Sequence, residues 1–296
     1  MKKQKIVFIV NPFSGTGSKK KIKSLIYKHL DTTRFDISFY ISEYPGHAAI
    51  LTRLAIDNSA DIVAAVGGDG TLNEVGSVLI HSDTIMAIVP AGSGNGFAYH
   101  LGLGRNISKA LKAVNEGNTL WIDTCILNDK KYINVAGLGF DAKIAYLTKQ
   151  RTQRGFLPYF LTTIKESLKF TTEHLTFVID GKIFRGNYAI AVVSNASMYG
   201  YNFSISPTAC INDGYMDLTL VKEAPVYKYF LITYRYFNKT LHRSSLVETY
   251  RAKSIKISSG RPVHYHVDGE GFNVEENFNF QIQPKSLRII VPADFQ

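Results

Sequence analysis

A chain of 296 residues and 33.0 kDa has room for two domains at about 150 residues apiece. Its composition, 45% hydrophobic and 20% charged with 23 Gly and 9 Pro, excludes collagen, coiled coil and wholesale disorder. Thirty-four Lys and Arg against 24 Asp and Glu leave a net +10, which favours an anionic partner (nucleotide, nucleic acid or anionic lipid) without choosing among them.

In chain order, Met1–Lys5 and the apolar run Ile6–Val10 resemble a secretory signal only briefly. The run is five residues long, short of the roughly 7–15 of such a segment, and Asn11-Pro12 ends it. No run approaches the roughly 18 apolar residues of a spanning helix, so a cytoplasmic protein is expected. Strands are expected at Lys5–Val10, Phe35–Ile41, Asp61–Val66 and Ile85–Val89, separated by helices at Ser18–Leu30, Gly46–Asn58 and Thr71–Ile80. That alternation describes βαβ units and a parallel sheet, and Ile62-Val63-Ala64-Ala65-Val66 suits a strand buried on both faces.

After a boundary in Asn115–Leu120 the texture changes. Strand-like segments dominate: Trp121–Leu127, Tyr132–Val135, Leu175–Ile179, Tyr188–Ser194, Met216–Val221, Ser254–Ser258, Val263–Val267, Phe278–Ile282 and Leu287–Val291. Asp180-Gly181 signals a two-residue hairpin, and helical stretches interrupt at Phe156–Phe170 and Val226–His242. The expectation is an α/β domain over 1–118 and a β-rich, sandwich-like domain over 119–296, whose last strand could return to the first domain. Cys125 and Cys210 lie in no CxxC or CxxH setting, so neither a disulfide framework nor a structural zinc site follows.

Three glycine-rich stretches carry the chemical signal. Asn11–Gly17 follows the first strand, Gly67–Val75 (GGDGTLNEV) the third, and Pro90–Gly96 (PAGSGNG) the fourth. All lie at the carboxyl edge of the expected sheet, where ligands gather in open parallel sheets. Glycine admits phosphate oxygens close to backbone N–H groups, and a helix starting at once adds the positive end of its dipole. Asp69, the acid in the second loop, implies a cation such as Mg2+ beside the phosphates. Each loop taken singly is equally well an ordinary βα turn. No GxxxxGK[ST] is present, and the first βα turn carries no GxGxxG with an acid about 20 residues on, which excludes Walker A and Rossmann readings.

The series NPxSG, GGDGTLNEV and PxGSGNGFA resembles the soluble diacylglycerol kinase and sphingosine kinase family of lipid kinases. The likeness continues through Asn134–Asp141 (NVAGLGFD), Asp213–Asp217 (DGYMD) and Val267–Glu270 (VDGE), spanning nearly the whole chain. It implies catalysis in a cleft between two domains, with the ATP γ-phosphate passing to a lipid hydroxyl. By the resemblance, Asn11, Ser42, Gly67, Gly68, Asp69, Gly70, Thr71, Leu72, Asn73 and Ser93 would line the nucleotide. Asp69 and Asp123 would hold its Mg2+ through water, and a structural Mg2+ would sit at Asp213 with backbone carbonyls of Cys210 and Tyr215. Glu270 would be the general base, with Asp268 as the alternative, and Asp141 would contact the lipid headgroup or cap the helix that follows it. Diacylglycerol kinases usually read GTGND in the third loop; Ser93 and Gly96 stand here instead, nearer the sphingosine kinase pattern, and leave the acceptor open. An NAD kinase-like enzyme, which shares GGDGT, and a non-catalytic lipid-binding relative are the alternatives.

Basic and aromatic stretches complete the reading. Met1–Leu30 holds eight lysines and no acid, and Lys222–Lys253 holds seven Lys and Arg interleaved with Tyr227, Tyr229, Phe230, Tyr234, Tyr236 and Phe237. They suit peripheral docking on the anionic inner face of a membrane, at about 1 kcal/mol per close basic residue. Phe230, Tyr234, Phe237 and Leu241 share one side and are read as the core face of that helix. No RRM, KH, zinc-finger or homeodomain signature supports nucleic acid as the partner. His264-x-His266 is either half of a metal site or ordinary strand alternation, and a homodimer is left open.

Overall fold

The computed structural model describes residues 3–15, 19–149, 166 and 172–295, which divide into two compact units. The first joins 1–122 to 285–296, and the second is 123–284.

In the first unit β1 (Gln4–Val10), β2 (Phe35–Ile41), β3 (Ile62–Gly67) and β4 (Ile85–Pro90) pair in parallel, in the order β4-β3-β1-β2. Apolar residues run through both parities of these strands. Ile6, Phe8, Val10, Ala64 and Val66 pack with Ile22 and Ile26 of α1 (Lys19–His29) and Leu111 and Val114 of α5 (Ile107–Glu116). Val7, Ile9, Val63 and Ala65 are buried as well, toward α2 (His47–Asp57) and α3 (Asp69–Leu79). A short α4 (Gly96–His100) follows the third glycine loop. The unit closes with the far end of the chain: Ile289 registers with Met86 of β4, and Val291 N–H donates to Asn118 O at 3.0 Å.

The second unit is built from antiparallel strands: β5 (Thr119–Leu127, from Asp123), β6 (Lys130–Tyr132), β7 (Val135–Gly139), β8 (Glu173–Ile179), β9 (Lys182–Ser194), a small β10 (Met198–Gly200) and β11 (Phe203–Ser204) pair, β12 (Met216–Lys222), β13 (Val247–Ala252), β14 (Ser254–Val267) and β15 (Glu270–Ile290, to Pro284). β9 and β14 each change partner along their length, pairing with β8 at one end and β7 at the other. Phe177, Tyr132, Phe278 and Phe280 fill the resulting core. Asp180 and Gly181 both take positive φ (44° and 86°), forming the expected two-residue hairpin between Ile179 and Lys182.

Differences from the expected elements have local causes. The expected strand Tyr132–Val135 breaks at Ile133-Asn134, because three successive N–H groups there turn onto the Asp268 carboxylate instead of a neighbouring strand. Ser254–Ser258 and Val263–Val267 form one strand with an irregular register near Gly260 (φ 65°). Helix α6 (Phe140–Lys149) follows β7. The helix expected at Phe156–Phe170 lies outside the described residues except for position 166. Val226–His242 is a helix only to Phe237 (α7, Val226–Phe237), after which Leu241–Arg243 form a separate turn. Leu241 lies beyond the helix yet is wholly buried, as expected, in the same core as Ile232, against which Tyr229 and Tyr236 pack. Tyr234 and Phe237 are exposed, correcting the expected orientation.

Candidate active site

In the first unit the three glycine loops come into backbone contact. A Cβ on Gly15 (φ 63°) would lie 2.1 Å from Ala91 O, and one on Gly92 would lie 2.3 Å from the Cα of Gly68. Asn11 sits at the junction, with Nδ2 donating to Thr71 Oγ1 at 3.0 Å and Oδ1 accepting from Phe13 N–H at 2.9 Å. Asn95, at φ 55°, closes the third loop: its Oδ1 accepts from Gly92 N–H at 3.0 Å and its Nδ2 donates to Gly92 O at 2.9 Å. Asp69 is the first residue of α3, and its Oδ1 accepts from Phe97 N–H at 3.4 Å, tying α3 to the start of α4.

The other expected nucleotide residues divide by orientation. Gly70 is exposed with open space where a Cβ would be, and Ser93 is half-buried in the third loop. Ser42 is buried, its N–H donating to Val10 O at 3.0 Å, so it locks the end of β2 to β1. Leu72 turns into the core with its N–H donating to Gly68 O. Asn73 Oδ1 accepts from Ser77 Oγ at 3.3 Å. Glu74, in the same motif, accepts from Gly46 N–H (2.9 Å) and Ala48 N–H (3.0 Å) and so holds the start of α2.

In the second unit one hydrogen-bonded network joins most of the remaining candidates. Asp268 and Gly269 form the tight turn between β14 and β15, both at positive φ (46° and 81°). The Asp268 carboxylate is buried and accepts three N–H groups, from Ile133 (3.1 Å), Asn134 (3.0 Å) and Val135 (3.0 Å). Glu270, two residues on, starts β15 and is exposed. Asn195 Nδ2 bridges Ile133 O and Asp123 O, both at 2.8 Å. Asp123 is fully buried, and its Oδ2 accepts Gly214 N–H at 2.6 Å. Asp213 accepts Tyr215 N–H on Oδ1 at 3.0 Å and pairs with Arg251 through Oδ2. Cys210 is exposed, its Sγ 3.0 Å from Asn212 Oδ1.

Asp141 lies in the first turn of α6, with Oδ1 accepting from Ala142 N–H at 2.9 Å. Its Oδ2 accepts the Tyr199 hydroxyl and lies 3.0 Å from His266 Nε2. His264, on the same strand face, stacks on Tyr146 at 4.1 Å. The His264-x-His266 alternation thus serves packing against α6, and among the described residues no group of three His, Cys, Asp or Glu is arranged to hold a metal. Asn195, Tyr199 and His266 as site-supporting residues were hidden from sequence reasoning, since each acts through a partner at least 58 positions away. Asn134 lay within a resembling motif, but its backbone role needed Asp268 beside it.

Glycine loops meeting at one edge of a parallel sheet make a backbone-lined cradle of the class that suits the phosphates of a nucleotide. Comparison with known proteins narrows it. The diacylglycerol kinase catalytic domain matches residues 5–127, and the YegS C-terminal NAD kinase beta sandwich-like domain matches residues 134–291. A diacylglycerol kinase of Bacillus subtilis is 27% identical over 276 residues, 91% of this chain and 90% of the relative. One from Staphylococcus carnosus is 26% identical over 292 residues, 97% and 94% of the two chains. The crystal structure of a diacylglycerol kinase from Bacillus anthracis superposes with a TM-score of 0.77 at 21% identity, covering 100% of both chains, and shows the shared fold. The chain belongs to the diacylglycerol kinase family and is an ATP-dependent lipid kinase.

Proposed function

We propose that the chain transfers the γ-phosphate of Mg·ATP to the hydroxyl of diacylglycerol, with Glu270 taking the alcohol proton. The observation that carries the reading is the cradle in the first unit, where Gly15, Gly68 and Gly92 bring three loops to backbone contact. Side chains at Gly15 and Gly92 would drive the loops apart, and the start of α3 offers N–H groups and a favourable dipole end. The nucleotide's metal would be held by Asp69, the acid of that cradle. It would neutralise charge developing on the transferred phosphate.

Between the two acids of the turn, Glu270 is the better base. The Asp268 carboxylate is buried and already occupied by three N–H donors, whereas Glu270 stands exposed at the start of β15. The acceptor reading rests on Asp141. Its carboxylate is already engaged by Tyr199, His266 and Ala142, whereas the ammonium of a long-chain base would call for an available carboxylate. An uncharged alcohol fits better, in keeping with the diacylglycerol kinases named among its relatives.

Transfer of labelled γ-phosphate from Mg·ATP to diacylglycerol, a long-chain base, a polyprenol and NAD in mixed micelles tests this. Labelled diacylglycerol is expected, and its disappearance with Glu270→Gln. Labelling of the long-chain base alone, or of NAD, would overturn the acceptor; an active Glu270→Gln would overturn the base.

The same lipid must be reached at a surface, and α7 supplies one. Tyr227 (65%), Leu231 (64%) and Tyr234 (67%) stand exposed on one stripe, flanked by Lys228, Arg235 and Lys239. Rings and an aliphatic chain between cations suit insertion at an anionic bilayer interface. Binding to anionic vesicles is expected to weaken with salt and with Leu231→Glu. Salt-independent partitioning would refute it.

A further inference from the structure

The resemblance puts a structural Mg2+ at the Asp213–Gly214 turn, with the Asp213 carboxylate among its donors. The turn of this chain carries cations of its own. Arg251, registered opposite Asp217 in the β12–β13 pair, reaches Asp213 Oδ2 with its guanidinium. The same guanidinium lies 4.8 Å over the Tyr215 ring, and Lys253 Nζ lies 5.1 Å from that ring. Asp213 Oδ1 is meanwhile taken by Tyr215 N–H. A divalent ion at this carboxylate would have to share it with a guanidinium that never deprotonates, so the donor set does not fit a resident metal.

The turn also has a task. Gly214 N–H donates to Asp123 Oδ2 at 2.6 Å, so whatever fixes Asp213 fixes the direction of the Asp123 carboxylate. We propose that Arg251 is the built-in cation of this turn: it pins Asp213, and through Gly214 it positions Asp123, in place of a bound structural metal. Arg251 is thereby a positioning residue rather than a catalytic one. The pairing stands whether or not Asp123 orients the nucleotide's metal, so its decisive test involves no turnover.

Chelator-stripped, nucleotide-free protein is compared with and without sub-millimolar Mg2+ at matched ionic strength, by thermal melting and by titration calorimetry. For the wild-type chain the expected result is an unchanged Tm and no stoichiometric Mg2+ site. A wild-type Tm that falls on chelation and returns with Mg2+, or one tight Mg2+ site in calorimetry, overturns the proposal; this arm needs no variant to fold. Arg251→Ala is expected to melt lower and to regain Tm with Mg2+, while Arg251→Lys recovers part of the loss without acquiring Mg2+ dependence. Arg251→Ala melting as wild type overturns it equally. In turnover, Arg251→Ala should raise KM for Mg·ATP by a larger factor than it lowers kcat, a split that general loss of stability would not produce.

Discussion

Asp268 and Glu270 are separated by one glycine, and the turn assigns them different work. Asp268 points inward and terminates three N–H groups, and Glu270 points out at the start of β15. Glu270→Gln is expected to fold, keep its Tm and bind ATP, with turnover lower by about 10²–10⁴-fold. Asp268→Ala should instead lose about 3 kcal/mol or more, because three buried donors lose their acceptor at once. Urea unfolding of the two variants separates these outcomes. Asp217 gives a pH signature. Burial pushes its carboxyl from 3.8 up to about 6, only partly offset by Arg251, and its Oδ2 has no hydrogen-bond partner among the described residues. The folded state holds this proton more tightly than the unfolded state, so stability falls as pH rises from about 4 through 6 and is level above. Asp217→Asn should therefore gain as much as roughly 3 kcal/mol at neutral pH and little near pH 4, in paired denaturant melts. The acids were legible in the sequence as motif members, but not their division of labour, since the partners of Asp268 lie more than 130 positions earlier in the chain.

Among the elements, the glycine loops were the most legible, because strand, loop and helix follow one another within a few residues. What the sequence left open was how closely the loops approach one another. Gly92→Ala puts a methyl group 2.3 Å from the Cα of Gly68, so the second and third loops must part. Loss of ATP binding in calorimetry is expected for it, while Gly70→Ala, with open space at its Cβ position, should fold as wild type. Helix α7 was legible as a helix but not in its facing. Its aromatic residues occur on every side, so periodicity could not choose the core stripe, and the early end at Phe237 leaves Leu241 to reach the same core from a separate turn. The break between β6 and β7 was invisible for a related reason: Ile133 is apolar and strand-like, and only the distant Asp268 diverts its N–H.

For the chain as a whole, the two-part division was legible from the change of texture near position 120, while the return of 285–296 to the first unit was legible only as an open possibility. Leu287–Val291 reads as one more apolar strand, and nothing in its composition says which sheet receives it. Leu287, Ile289 and Ile290 are nearly or wholly buried there, at about 1.5–3 kcal/mol of burial each. A chain stopped at Pro284 should thus lose the cooperative melting of its first unit, and fusing 285–296 after Ile122 should restore it in the isolated α/β unit; scanning calorimetry would report both. The same connectivity imposes a schedule on biosynthesis. Val291 is translated 169 residues after Ile122 (291 − 122), roughly 10–30 s at typical elongation speeds. Throughout that interval the nascent chain carries β4 with its last parallel neighbour still unmade, an open sheet edge free to pair wrongly until 285–296 has emerged.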